Sequence, residues 1–106
     1  MLPIIVEMRV PEGWRKTVLR FASELRELFG DRLLRVIALP NPEDGVYESN
    51  VLVVLEGADQ EDVMRVMEVA VSVDERLNPL VVDEEDEEAV RMFLRAGGRD
   101  VKVTEG

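Results

Sequence analysis

The run Asn50-Val51-Leu52-Val53-Val54-Leu55 constrains this chain more than any other feature. It is apolar without alternation. A strand with one wet face alternates polar and apolar residues, so this one reads as a central strand buried on both faces. It needs cover above and below.

The remaining sequence supplies that cover. Residues 4–10 predict a first strand, β-branched and bounded by Pro3 and Pro11. A helix is expected from about Glu12 to Phe29, with Trp14, Val18, Phe21, Ala22, Leu25 and Leu28 on one face. Pro11 near its start and Gly30 just past its end fit the usual asymmetry of helix termini. Leu33 to Leu39 predicts a strand ended by Pro40, and Asn41-Pro42-Glu43-Asp44-Gly45 a turn. Asp59 is the expected N-cap of a second helix, with Asp62 at N3 near the positive end of the dipole. Val63, Val66, Met67, Ala70, Val73 and Leu77 form its buried stripe. Pro79 to Val82 predicts a third core strand. Asp83 or Glu84 opens a third helix that packs through Val90, Phe93 and Leu94 and stops at Gly97-Gly98. Val101 to Val103 predicts a short final edge strand.

The order β-α-β-β-α-β-α-β makes residues 1–106 a single α/β (α+β) domain, with one mixed sheet packed with helices. The first six elements also spell a ferredoxin-like βαββαβ core. Periodicity does not separate the two.

Composition narrows the chemistry. The chain is 46% hydrophobic, which suits a globular core, and it has neither His nor Cys. Serine–histidine triads, zinc sites and thiolate chemistry are thereby excluded. A net charge of −10 argues against nucleic acid as the main ligand. Apolar stretches are too short for a membrane span, which needs ~20 residues. The start, Met1-Leu2-Pro3-Ile4-Ile5-Val6-Glu7, lacks a basic region and reads as a strand rather than a signal peptide. Together with the lack of Cys, this sets the expectation of a cytoplasmic protein. Eleven Arg against two Lys, 23 acids and one Gln resemble a thermophile's habit of ion pairs and few labile side chains.

Several segments resemble the minimal nucleotidyltransferases of the DNA polymerase β superfamily. Glu24-Leu25-Arg26-Glu27-Leu28-Phe29-Gly30-Asp31 looks like that family's helix-ending segment, and Arg35-Val36-Ile37-Ala38-Leu39 like the strand leading to its Gly-Ser turn. Tyr47 to Gly57 is similar to its Asp-x-Asp strand in length, apolarity and Glu-Gly exit. Asn78 to Glu85 and Arg95-Ala96-Gly97-Gly98 resemble its third strand, acidic helix start and closing glycine. The resemblance covers about three-quarters of the chain and implies a nucleotidyltransferase-like fold.

The departures fall on the chemistry. Nucleotidyl transfer uses two magnesium ions ~3.5–4 Å apart, held by clustered carboxylates. At the positions matching Asp-x-Asp the chain has Glu48 and Asn50. Two such residues at i and i+2 on a strand share a face, but Asn brings no countercharge. No acid lies on the strand around Asn78 to Val82. Asp83 is roughly 16 Å from Asn78 along an extended chain at ~3.3 Å per residue. Pro40 to Gly45 replaces the phosphate-holding Gly-Ser turn, with two prolines that lack N–H donors and two acids.

Glu48 and Asn50 are therefore read as vestigial site positions, polar residues left at a strand mouth, with no catalytic, metal or cofactor residue assigned. The run Asp83 to Glu88 reads as helix-dipole complement and solvated face. Trp14 reads as core, and Met64, Met67 and Met92 as gap-fillers. The resemblance implies a catalytically degenerate domain acting through protein contacts, as a homodimer or with a helical HEPN-type partner, as in toxin–antitoxin modules. Two alternatives stand beside it: a divergent nucleotidyltransferase using Glu48 and some other acid with one Mg ion, and a ferredoxin-like small-ligand sensor. The apolar residues of the first ten positions further predict a dimer to which that strand contributes.

Overall fold

The structure, a computed structural model, describes residues 13–102. The first predicted strand, 4–10, its role in a dimer, and Val103 lie outside the described residues. Three helices, α1 (Trp14–Phe29), α2 (Gln60–Val73) and α3 (Glu87–Arg95), accompany four strands. These are β1 (Leu33–Ala38), β2 (Val51–Leu55), β3 (Pro79–Val82) and β4 (Arg99–Asp100). They form one mixed sheet in the order β3-β2-β1-β4, with β2 and β3 parallel and the other pairs antiparallel. The fold is α+β, as the sequence predicts.

Every residue of β2 is buried. Val51, Val53 and Leu55 face α1 and α2, while Leu52 and Val54 face α3. The period of two along the strand thus feeds two separate cores, which is why the run lacks polar positions.

α1 forms because its apolar residues recur on one face, and Trp14, Val18, Phe21, Ala22 and Leu25 are buried as expected. Each large side chain so buried is worth roughly 1.5–3 kcal/mol of transfer free energy. Leu28 is exposed instead, and Phe29 takes the inward place. The 3.6-residue period carries position 28 to the rim of the stripe and brings 29 beneath it. Gly30 ends the helix at φ 58°, its N–H bonded to the Arg26 carbonyl.

α2 begins at the predicted N-cap, Asp59, and the cap is reciprocal. The Asp59 carboxylate accepts from Asp62 N at 2.9 Å, and the Asp62 carboxylate accepts from Asp59 N at 3.1 Å. Val66 and Ala70 are buried, but Met67 is exposed. α3 starts later than the acid run suggests. Asp86 is its cap, bonding Ala89 N at 3.1 Å, and the preceding residues turn, with Glu85 N donating to Asp83 Oδ1 at 2.9 Å. Phe93 and Ala89 are buried and Leu94 is exposed, one step round the helix from the core line.

β4 lies two residues before the predicted Val101–Val103. Asp100 pairs with Ile37 in register, and its carboxylate chelates Arg35 at 2.9 and 2.7 Å, fixing the charged pair as the strand. Gly98 allows the approach: a Cβ there would lie 2.7 Å from the Phe93 carbonyl oxygen and 2.8 Å from Ile37 Cγ2. The ferredoxin-like alternative does not hold. That arrangement splits its βαβ unit with an intervening strand, whereas β2 and β3 here are direct neighbours joined through α2.

Candidate functional site

Glu48 and Asn50 meet at the amino ends of β2 and β3, but not side by side on a strand. Val46 and Ser49 close a tight turn, with Val46 N to Ser49 O at 2.8 Å and Ser49 N to Val46 O at 2.9 Å. The two residues between them, Tyr47 and Glu48, have φ of 54° and 64°. Positive φ at both central positions is the pattern of a type I′ hairpin turn, usually filled by Asn and Gly. Glu48 therefore sits in a left-handed turn ahead of β2. The expectation that it shares a strand face with Asn50 is overturned by this reversal of the chain.

Asn50 is 3% exposed and its amide is spent within the fold. Its Nδ2 donates to the Pro42 and Arg76 carbonyls, both at 2.8 Å, and its Oδ1 accepts from Asn78 N at 2.9 Å. Its main chain is also used: N donates to Asn78 O at 3.1 Å, and O accepts from Leu39 N at 3.0 Å. Asn78 returns the link through its own Nδ2, which donates to the Glu48 carbonyl. One side chain thus ties the 40–45 turn, the start of β2 and the loop before β3. Only an amide can do so, because a carboxylate has no hydrogen to give the two carbonyls.

These residues border a cleft of about 510 Å³ whose rim carries Glu43, Asp44, Glu48 and Glu75. The one cation on it, Arg76, is already engaged. Its guanidinium bonds the Asp74 carboxylate at 3.1 and 2.9 Å and lies 5.6 Å above the Trp14 ring. Arg76, through its side chain and then its backbone N–H, and Thr17 hold the Asp74 carboxyl well below the usual carboxylate range. Trp14 is core, as predicted: it is buried, and its Nε1 donates to the Leu39 carbonyl at 2.9 Å. A second hollow of about 410 Å³, between α1 and β4, has a largely apolar floor and includes neither Glu48 nor Asn50.

The acid run lies at the opposite, carboxyl ends of β2 and β3. Glu84 accepts from Gly57 N at 2.9 Å, which lowers its pKa. Asp62 is buried and paired with Arg32, whose hydrogen bonds are the main cause of its lowered pKa. Arg32 also donates to the Glu56 carbonyl at 3.2 and 3.1 Å. The start of α2, where a phosphate would otherwise find free N–H groups, is thus filled by the chain's own carboxylates. Among the described residues no group of three or more Asp or Glu is placed to hold a metal ion.

The structure places Glu48 and Asn50 on one cleft, and the sequence did not single out Asn78, Asp74 and Arg76 beside them. The Asn78-Pro79 dipeptide, a turn signal just before a strand, was the available hint. Among the described residues the chain is an α+β domain with a mixed four-stranded sheet packed with helices. Compared with protein-family models, curated proteins and solved structures, the chain matches none of them.

Proposed function

We propose that this chain is a catalytically degenerate nucleotidyltransferase-like domain that acts through protein contacts, as a homodimer or with a helical HEPN-type partner. One observation carries the reading: Asn50, at the position where a metal-binding carboxylate would be needed, uses both amide hydrogens to hold two main-chain carbonyls. Replacing it with an acid would give a metal nothing without first opening the fold. The cleft around it supports the same reading, because a triphosphate with about four negative charges would face Glu43, Asp44, Glu48 and Glu75 with its lone arginine already paired.

The test is titration of Mg²⁺, Mn²⁺ and Mg-ATP into isotopically labelled protein. We expect no binding tighter than ~1 mM for any of them. Saturable Mg-ATP binding below ~100 μM, with shifts confined to Leu39 through Val54, would overturn the proposal and favour a divergent nucleotidyltransferase.

A further inference from the structure

α2 is apolar on two opposite sides. Its inner side buries Val66 and Ala70 and packs Val69 and Val73 against the core. Its outermost line should then be polar, because a surface helix has one apolar stripe. Instead Val71 is 76% exposed and Met64 62%, two turns apart on the ridge farthest from the sheet, with Met67 at 38% on the adjoining shoulder. A helix apolar on both sides is one that is covered on both sides. α3, also resting on this sheet, comes nearer the ordinary arrangement: Phe93 and Ala89 lie inward, and Glu87, Glu88, Arg91 and Arg95 outward, with Leu94 its one large apolar side chain left exposed.

Charge decides what the cover is. Glu61 and Glu68 flank the ridge on one side, seven residues apart. Neither has an ion-pair partner among the described residues. A second copy laid antiparallel on this ridge would bring its own Glu row against this one. Two chains of net charge −10 would meet with their acids facing. A helix with an aliphatic seam and basic flanking residues would cover Met64, Met67 and Val71 and answer the glutamates.

We infer that the outer ridge of α2, Met64–Met67–Val71 with Glu61 and Glu68, is the docking surface for a basic amphipathic helix of a different protein. This rests on the reading of the chain as an interaction domain and names the partner chemistry for it. Methionine suits the role, since its unbranched side chain adapts to the helix it meets.

The test uses three synthetic helical peptides sharing one leucine seam, flanked by Lys/Arg, by Gln or by Glu, titrated into the labelled full chain. The basic peptide is expected to bind with a dissociation constant in the tens of micromolar, at least tenfold tighter than the acidic one, shifting amides from Glu61 to Ser72. The double variant Met64→Glu/Val71→Glu, its fold checked by circular dichroism, should weaken the basic peptide at least tenfold. Glu61→Lys/Glu68→Lys should reverse the preference between basic and acidic peptides. Equal binding of all three peptides, or shifts located elsewhere, would overturn the inference. So would a dimer in sedimentation that Val71→Glu abolishes, because a second copy would then be the occupant. Mg-ATP binding at Leu39 through Val54 would sink the interaction-domain reading itself. Failure of the peptides without nucleotide binding sinks only the assignment of this ridge.

Discussion

The two ends of β2 are secured by opposite kinds of chemistry. At its amino end, neutral amides do the work: Asn50 and Asn78 link three segments with no charge among the bonded groups, and Asn50 is almost wholly out of water. At its carboxyl end charges do it: Arg32 grips Asp62 and the Glu56 carbonyl, and Asp62 in turn caps α2. Burying a neutral amide is cheap once its hydrogen bonds are made, whereas a buried ion keeps a desolvation cost even when paired. The charged end accordingly leaves Arg32 41% exposed at its side chain. The Asn50–Asn78 network should therefore tolerate pH and salt and fail on a change of one atom, while the Asp74–Arg76 pair beside it carries the charge dependence of that end. The carboxyl end should do the reverse.

The largest effect expected is from Asn50→Asp. The substitution replaces two donors with a carboxylate facing carbonyl oxygens 2.8 Å away, so two part-buried acceptors lose their partners and a charge is left at a side chain almost wholly out of water. We expect a loss on the order of 3–5 kcal/mol at neutral pH by urea denaturation. The new carboxyl would have a folded-state pKa above its unfolded value. Its penalty is full at neutral pH and eases as pH falls through that raised value. No nucleotide transfer should appear. A variant as stable as the parent would break the comparison.

Asp62→Asn should cost less, since it retains an oxygen for the Asp59 N–H while losing the charge and one of the two oxygens that accept from Arg32. Its signature is in the pH profile. Asp62 is lowered by Arg32, and Asp74 by Arg76, so both contribute stability that is present above the unfolded carboxylate pKa of about 4 and lost as pH falls below it. The variant should show a shallower acid limb than the parent and less loss of stability in 1 M salt. An unchanged acid limb would place the charge dependence elsewhere.

The smallest effect is a gain. Tyr47→Asn with Glu48→Gly supplies the residues a type I′ turn favours, and Tyr47 is already 56% exposed. Relief of two left-handed side-chain conformations, partly offset by glycine's larger unfolded-state entropy, should stabilise by about 1 kcal/mol. A loss instead would mean that Tyr47 makes a contact the turn's strain supports.

What was legible in the sequence follows the same division. The apolar run of β2, the stripe of α1 and the Asp59–Asp62 cap are local, periodic signals, and all three are found in the structure. The amide network was not legible, because Asn50 meets Asn78 only after α2 has returned the chain across 28 positions. Nor could Tyr47 and Glu48 announce a left-handed pair, being neither Gly nor Asn. Asp83 to Glu88 offered several equivalent caps, and choosing Asp86 required knowing that Glu84 reaches across to Gly57. The last strand was displaced for a similar reason: a cross-strand ion pair, Arg35 with Asp100, fixes Arg99–Asp100 as the paired segment ahead of Val101.

Trp14 is the chain's sole tryptophan, and its surroundings make it an optical reporter. Its indole donates to the end of β1's continuation at Leu39, and it lies under the Arg76 guanidinium, which Asp74 fixes. Asp74 also accepts from Thr17 one turn along α1. The fluorescence of this one ring is therefore sensitive to three things at once: seating of α1, closure of the loop before β3, and the ionisation state of Asp74. Emission should shift to the red when any of them is released.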